Sequence, residues 1–106
     1  MADNEIETLI HTNSAVLLYV STEECSVCKV LKPKVIEMIN ENFPRILFLY
    51  VDAEDSKEAA AQLSVFSVPT IIVYFEGREY IRKSRTVGLS ELQEEIERLY
   101  KMMFED

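Results

Sequence analysis

The sequence predicts an α/β fold: a small four-stranded mixed sheet with helices on both faces. Three observations lead there. Runs of strand length at 15–20, 45–51 and 71–75 are nearly all apolar, and a fourth run at 78–86 follows a turn. Segments of helical periodicity separate the first run from the second and the second from the third. Glu76-Gly77 joins the last two runs so tightly that they must form an antiparallel hairpin. The first two runs need a helical crossover instead, so they lie parallel, with the right-handed connection such units adopt.

The elements follow in order. Residues 4–12 read as a helix capped by Asn4 with Glu7 three positions on, and Ile6, Leu9 and Ile10 form its apolar face. The 15–20 run is apolar almost throughout, which predicts a strand buried on both faces. From 25 to about 42, Val27/Cys28, Leu31, Val35, Ile39 and Phe43 recur at helical spacing. Pro33 lies inside that pattern, where a proline removes a hydrogen bond at a cost of about 3 kcal/mol, so a bend is expected. After the second strand, Asp55 and Glu58 read as a capping box opening a helix through Leu63. Ser90 reads as the cap of a final helix whose core face is Leu92, Ile96, Leu99 and Tyr100.

A chain of 106 residues closes one ordinary core, so a single domain over 1–106 is expected. Nineteen acidic residues against eleven basic ones give a formal charge of −8. Such a surface repels phosphate backbones and anionic lipid heads, which argues against nucleic-acid and membrane partners. The basic group Arg78, Arg82, Lys83 and Arg85 is interrupted by Glu79, Tyr80 and Ile81 and reads as a solvated strand. The N-terminal residues lack a basic region followed by an apolar one, and a cytoplasmic location is expected.

Cys25 and Cys28 are the only two cysteines and stand three apart, where an apolar strand gives way to a helix. A dithiol on the first helical turn can close and reopen, and the helix N-terminus favours the thiolate that attacks. Zinc is the rival reading. A structural zinc site needs four ligands, and one cysteine pair with a lone histidine, His11, does not fill it within one chain. Sharing a metal across a dimer, or borrowing carboxylates, stays open. His11 itself reads as a surface or helix-end residue without chemistry. No metal and no cofactor are assigned.

Together these residues resemble the thioredoxin family over 15 to about 100. The resemblance rests on the strand leading into Cys25-x-x-Cys28, on Lys29 and Pro33 beyond it, and on Asp52 closing the next strand. Val68-Pro69-Thr70 and the late glycines Gly77 and Gly88 complete it. It implies a thioredoxin-like fold and a thiol–disulfide oxidoreductase that reduces protein disulfides. Cys25 would be the nucleophile and Cys28 the resolving thiol. Glu24, Ser26, Val27, Val68, Pro69 and Gly88 would form the substrate groove, with a cis Pro69 exposing the Val68 backbone to an extended substrate. Electrons would come from a thioredoxin-reductase-like partner or a thiol pool. A monomer is expected.

Three departures qualify the resemblance. Glu24 replaces the tryptophan that usually precedes the first cysteine, and Glu23 adds a second carboxylate. A unit charge about 4 Å away is worth roughly 1 kcal/mol in water. The helix N-terminus opposes it by about 0.3–1 kcal/mol. The Cys25 pKa is therefore expected below that of free cysteine but not at the family's acid extreme. The positions of the family's buried aspartate and lysine hold Tyr19 and Phe48, which implies a drier core and slower deprotonation of Cys28, with the Tyr19 hydroxyl as a weak substitute. Lastly, the extra N-terminal edge strand of many members is missing. That leaves the 46–51 strand as an apolar edge through which a dimer could pair. Two further readings compete with the reductase: a redox-sensing or partner-binding module with little turnover, and a merely structural disulfide.

Overall fold

The computed structural model describes residues 3–104, side chains from Asn4 onward; Met1, Ala2, Glu105 and Asp106 lie outside the described residues. The element order is α1 (Asp3–Thr12), β1 (Ala15–Ser21), α2 (Ser26–Asn42), β2 (Leu47–Asp52), α3 (Lys57–Gln62), β3 (Thr70–Phe75), β4 (Arg78–Ser84) and α4 (Leu89–Phe104). The sheet runs β2-β1-β3-β4. β1 is parallel to β2 and antiparallel to β3, and β3 pairs antiparallel with β4. No strand precedes α1 among the described residues, and β2 is a sheet edge, as expected.

The two central strands explain the unbroken apolar runs. Every residue of β1 and β3 is buried, because helices cover both faces. Side chains alternate between two cores. Leu17, Tyr19, Ile71, Val73 and Phe75 pack with Val35 and Ile39 of α2 and Leu92 and Ile96 of α4. Val16, Leu18, Val20, Ile72 and Tyr74 pack with Ile6 and Ile10 of α1 and Ala59 and Ala60 of α3.

The element ends correct several sequence expectations. Asn4 lies inside α1, where its carbonyl accepts from the Thr8 hydroxyl at 2.8 Å, so it is not the cap. β2 starts at Leu47 instead of 45: the Arg45 N–H donates to the Tyr100 hydroxyl at 3.3 Å, leaving the ladder for the loop. The Asp55/Glu58 capping box does not form. Asp52 takes over the turn, its carboxylate accepting from the N–H groups of Glu54 at 2.8 Å and Asp55 at 3.4 Å, and α3 starts later with Ser56 at the N-cap. Ser90 sits within α4, whose first turn already closes from the Leu92 N–H to the Gly88 carbonyl at 3.0 Å. Helix α2 continues through Pro33 to Asn42.

The β3–β4 hairpin turns on Glu76 (φ +53) and Gly77 (φ +78), both left-handed as this tight connection demands. A shift of register at Val73/Tyr74 leaves Tyr80 as the extra residue of a bulge, half-exposed, its ring edge 5.8 Å from Phe75.

Tyr74 gives a stability prediction. Its hydroxyl is buried and has no hydrogen-bond partner among the described residues. Burial, reinforced by Glu79 and opposed by Arg82, pushes its pKa up to about 12. Tyr19 is likewise pushed up to about 12 by burial and by Tyr50. An unfolded tyrosine ionises near 10. Both groups therefore hold their protons in the fold after the unfolded chain has lost them. Their contribution is whole below pH 10 and disappears as pH rises through 10 to 12. Urea midpoints should fall steeply across that window. Tyr74→Phe, which removes an unpaired buried hydroxyl, should leave stability at pH 8 unchanged or raise it by up to about 1 kcal/mol, and should make the alkaline fall shallower. A loss of more than 1 kcal/mol would mean that the hydroxyl is satisfied in solution.

Candidate functional site

Strand β1 delivers the chain to the site. After Ser21 the backbone turns, the Cys25 N–H donating to the Thr22 carbonyl at 3.2 Å, and α2 begins at Ser26. Cys25 is thus the N-cap and not the first helical residue. Its extended backbone (φ −81, ψ 101) lays the sulfur over the open end of the helix. The Cys28 N–H donates to Cys25 Sγ at 3.2 Å. An N–H aimed at that sulfur, together with the helix dipole, stabilises negative charge on it once the pair is reduced.

The two cysteines form a disulfide with Cα atoms 5.2 Å apart. Their environments differ. Cys28 is 1% exposed, whereas Cys25 is only partly buried. One sulfur can be reached from outside and the other is reached only through it. Beneath them, Tyr19 is fully buried and its hydroxyl donates to the Cys28 backbone carbonyl at 2.8 Å. The hydroxyl reaches Cys28 but is engaged by the peptide oxygen. Phe48 and Tyr50 flank the Tyr19 ring at centroid distances of 6.0 and 6.4 Å, so aromatic surface fills this part of the core.

A groove of about 700 Å³ opens beside Cys25, between α2, the loop before β3 and the loop after β4. Of the groove residues expected from sequence, Ser26, Val27, Val68 and Pro69 line it. Glu24, exposed in the turn before Cys25, and Gly88, at the start of α4, lie next to lining residues in sequence without lining it themselves. The Val68–Pro69 bond is cis, as the resemblance implied. The surrounding loop is pinned twice. The Thr70 hydroxyl donates to the Ser67 carbonyl at 2.6 Å, and the Arg85 N–H donates to the Pro69 carbonyl at 2.8 Å.

Sequence reasoning missed Val30, Leu31, Lys34, Arg85, Thr86 and Val87, which also line the groove. Helical spacing could have found the first three, since Val27, Val30, Leu31 and Lys34 fall on one stripe. The 85–87 loop gave no such signal; the β3–β4 pairing brings it alongside Pro69.

His11 sits in the last turn of α1, on the other side of the sheet from Cys28. Among the described residues no group of three or more His, Cys, Asp or Glu could hold a metal ion, and no helix is long and apolar enough to cross a membrane.

Comparison with known proteins agrees with this geometry. The family model described as Thioredoxin matches residues 1–98. The chain is 30% identical over 97 residues to the thioredoxin-like protein YdfQ of Bacillus subtilis, covering 92% of this chain and 86% of that one. It is 38% identical over 76 residues to the thioredoxin of Chlamydia trachomatis, covering 72% and 71%. The X-ray structure of Fasciola hepatica thioredoxin superposes with a TM-score of 0.82 at 29% identity, covering 92% and 93%. With a strand-to-helix dithiol, a cis-proline beside it and this sheet order, the chain belongs to the thioredoxin family and is a thiol–disulfide oxidoreductase.

Proposed function

We propose that this protein reduces protein disulfides through a Cys25/Cys28 dithiol–disulfide cycle. The Cys25 thiolate attacks one sulfur of the substrate disulfide, forming a mixed disulfide and releasing the other substrate sulfur, which takes up a proton. Cys28 then loses its proton and attacks Cys25 Sγ. The Cys25–Cys28 disulfide closes, and the second substrate thiol leaves. Two electrons have passed from the dithiol to the substrate, and an external reductant, either a thioredoxin-reductase-like partner or two thiols of a thiol pool, returns them. A reducing compartment such as the cytoplasm suits this direction.

One observation carries the proposal: an accessible sulfur capping a helix, bonded to a buried sulfur one turn deeper, at the edge of a mainly apolar groove. In this reading Ser26, Val27, Val68 and Pro69 touch the substrate, while Glu24 and Gly88 shape the groove's surroundings. The protein works as a monomer; a mass that doubles with concentration in light scattering would instead favour pairing through the β2 edge.

The test is turnover of a protein disulfide under a renewable reductant, combined with the reduction potential of the pair. Multiple turnovers and a potential near the thioredoxin value of about −270 mV are expected. A reversible pair without turnover would make the protein a redox sensor or binding module. A pair that does not interconvert would leave only a structural disulfide.

A further inference from the structure

The groove beside Cys25 carries charge opposite to that of the protein around it. Across the chain, nineteen acidic residues outnumber eleven basic ones. The groove reverses that balance: Lys34 and Arg85 line it, and no Asp or Glu does. Both cations are exposed. Their neighbours on β4 show what a neutralised cation looks like in this fold. Arg82 meets Glu79 at 2.8 Å, and Lys83 meets Glu91 at 3.2 Å and Glu95 at 3.0 Å. Among the described residues no carboxylate pairs with Lys34 or Arg85.

Arg85 is also held in place at a cost. Its φ is +66, a left-handed conformation that a β-carbon disfavours, while its N–H is tied to the Pro69 carbonyl. Glycine would take this conformation without penalty. Arginine occupies it instead, on the loop nearest Pro69. Lys34 closes the far end of the α2 stripe formed by Val27, Val30 and Leu31. Glu23 and Glu24, exposed in the turn before Cys25, lie outside the groove.

Resting on the disulfide-reductase reading, we propose that this groove selects disulfides set in an acidic, apolar peptide segment. The apolar side chains of the segment seat against Val27, Val30 and Val87, and its carboxylates meet Lys34 and Arg85. Glu23 and Glu24, exposed in the turn before Cys25 and outside the groove, repel those carboxylates, which draws the acidic part of the segment toward Lys34 and Arg85. A basic segment gains nothing from the groove.

The test uses the reduced protein and three fluorescence-quenched disulfide peptides with one apolar core, flanked by Glu, Gln or Lys. Second-order rates are measured at low and high salt. The Glu peptide should react roughly tenfold or more faster than the Lys peptide at low ionic strength, as charge steering allows. The gap should narrow as salt screens it. In the Lys34→Glu/Arg85→Glu variant the Glu-to-Lys rate ratio should invert. Because the ratio is taken within one protein, a general loss of activity in the variant cancels. Equal rates for all three peptides, or a wild-type preference for the Lys peptide, would overturn the proposal. The small uncharged bis(2-hydroxyethyl) disulfide separates the two levels. If the wild type does not reduce it either, the reductase reading falls and takes this proposal with it; if it is reduced and the peptides show no charge order, only the charge rule falls.

Discussion

Replacing Cys25 with serine should abolish disulfide reduction, lowering turnover by at least about a thousandfold to the background of the thiol reductant alone. The magnitude follows from chemistry: a serine hydroxyl is not ionised at neutral pH and forms no mixed disulfide, so no residual route remains. Cys28→Ser should behave differently. It leaves the accessible nucleophile intact and removes the group that resolves the intermediate. The variant should react once and stop, accumulating a covalent adduct of protein and substrate in nearly one-to-one amount, visible by mass and released by added thiol. The asymmetry rests on exposure, since Cys25 is partly open and Cys28 is 1% exposed. If Cys28→Ser instead abolished all reaction while Cys25→Ser trapped the adduct, the two roles would be exchanged. Equal and full activity in both variants would remove the dithiol cycle altogether.

The second large effect is on stability, at Tyr19. This side chain is fully buried in the middle of β1 between Phe48 and Tyr50. Tyr19→Ala should cost about 3–5 kcal/mol, the usual range for emptying a buried aromatic site. Against a total of about 5–15 kcal/mol, that is a large share of the fold's stability. Tyr19→Phe should cost only about 1 kcal/mol, since it loses one hydrogen bond to the Cys28 carbonyl and keeps the ring. Urea unfolding of the three proteins reads both numbers. Tyr19→Phe also decides whether the phenol moves protons. Its hydroxyl is committed to a peptide oxygen and its pKa is pushed up to about 12, so it is a poor acid or base near neutrality. The Phe variant should keep turnover within about threefold of wild type across pH 6–9. A tenfold loss in a variant that still unfolds cooperatively would make Tyr19 a proton relay for Cys28.

Much of this architecture is legible in the chain because its signals are local. Continuous apolar runs at 15–20 and 71–75 mark strands buried on both faces, and β1 and β3 are the two central strands of the sheet. The Glu76-Gly77 pair gives the hairpin, because few residues tolerate its left-handed turn. Cys25-x-x-Cys28 at a strand-to-helix junction points to a dithiol, since one helical turn brings those two side chains together.

Element ends were less legible, because caps compete. Asp55 and Glu58 spell a capping box, yet Asp52 at the end of β2 reaches the nearby N–H groups first and moves the start of α3. Ser90 is a good cap residue, but α4 begins with the Gly88 carbonyl.

By itself, then, the sequence determined the order of the elements, the parallel sense of β1 and β2, the antiparallel sense of β3 and β4, and the redox pair, each of which depends on residues close together in the chain. Only the tertiary structure decided that β1 lies between β2 and β3, and that Arg85 comes to rest against Pro69. It also decided that Lys34 and Arg85, fifty-one positions apart, face one groove free of carboxylates, and that the Tyr19 hydroxyl ends on the Cys28 peptide oxygen and not on its sulfur. Those outcomes depend on how helices and loops settle on a twisted sheet, and no local pattern encodes them.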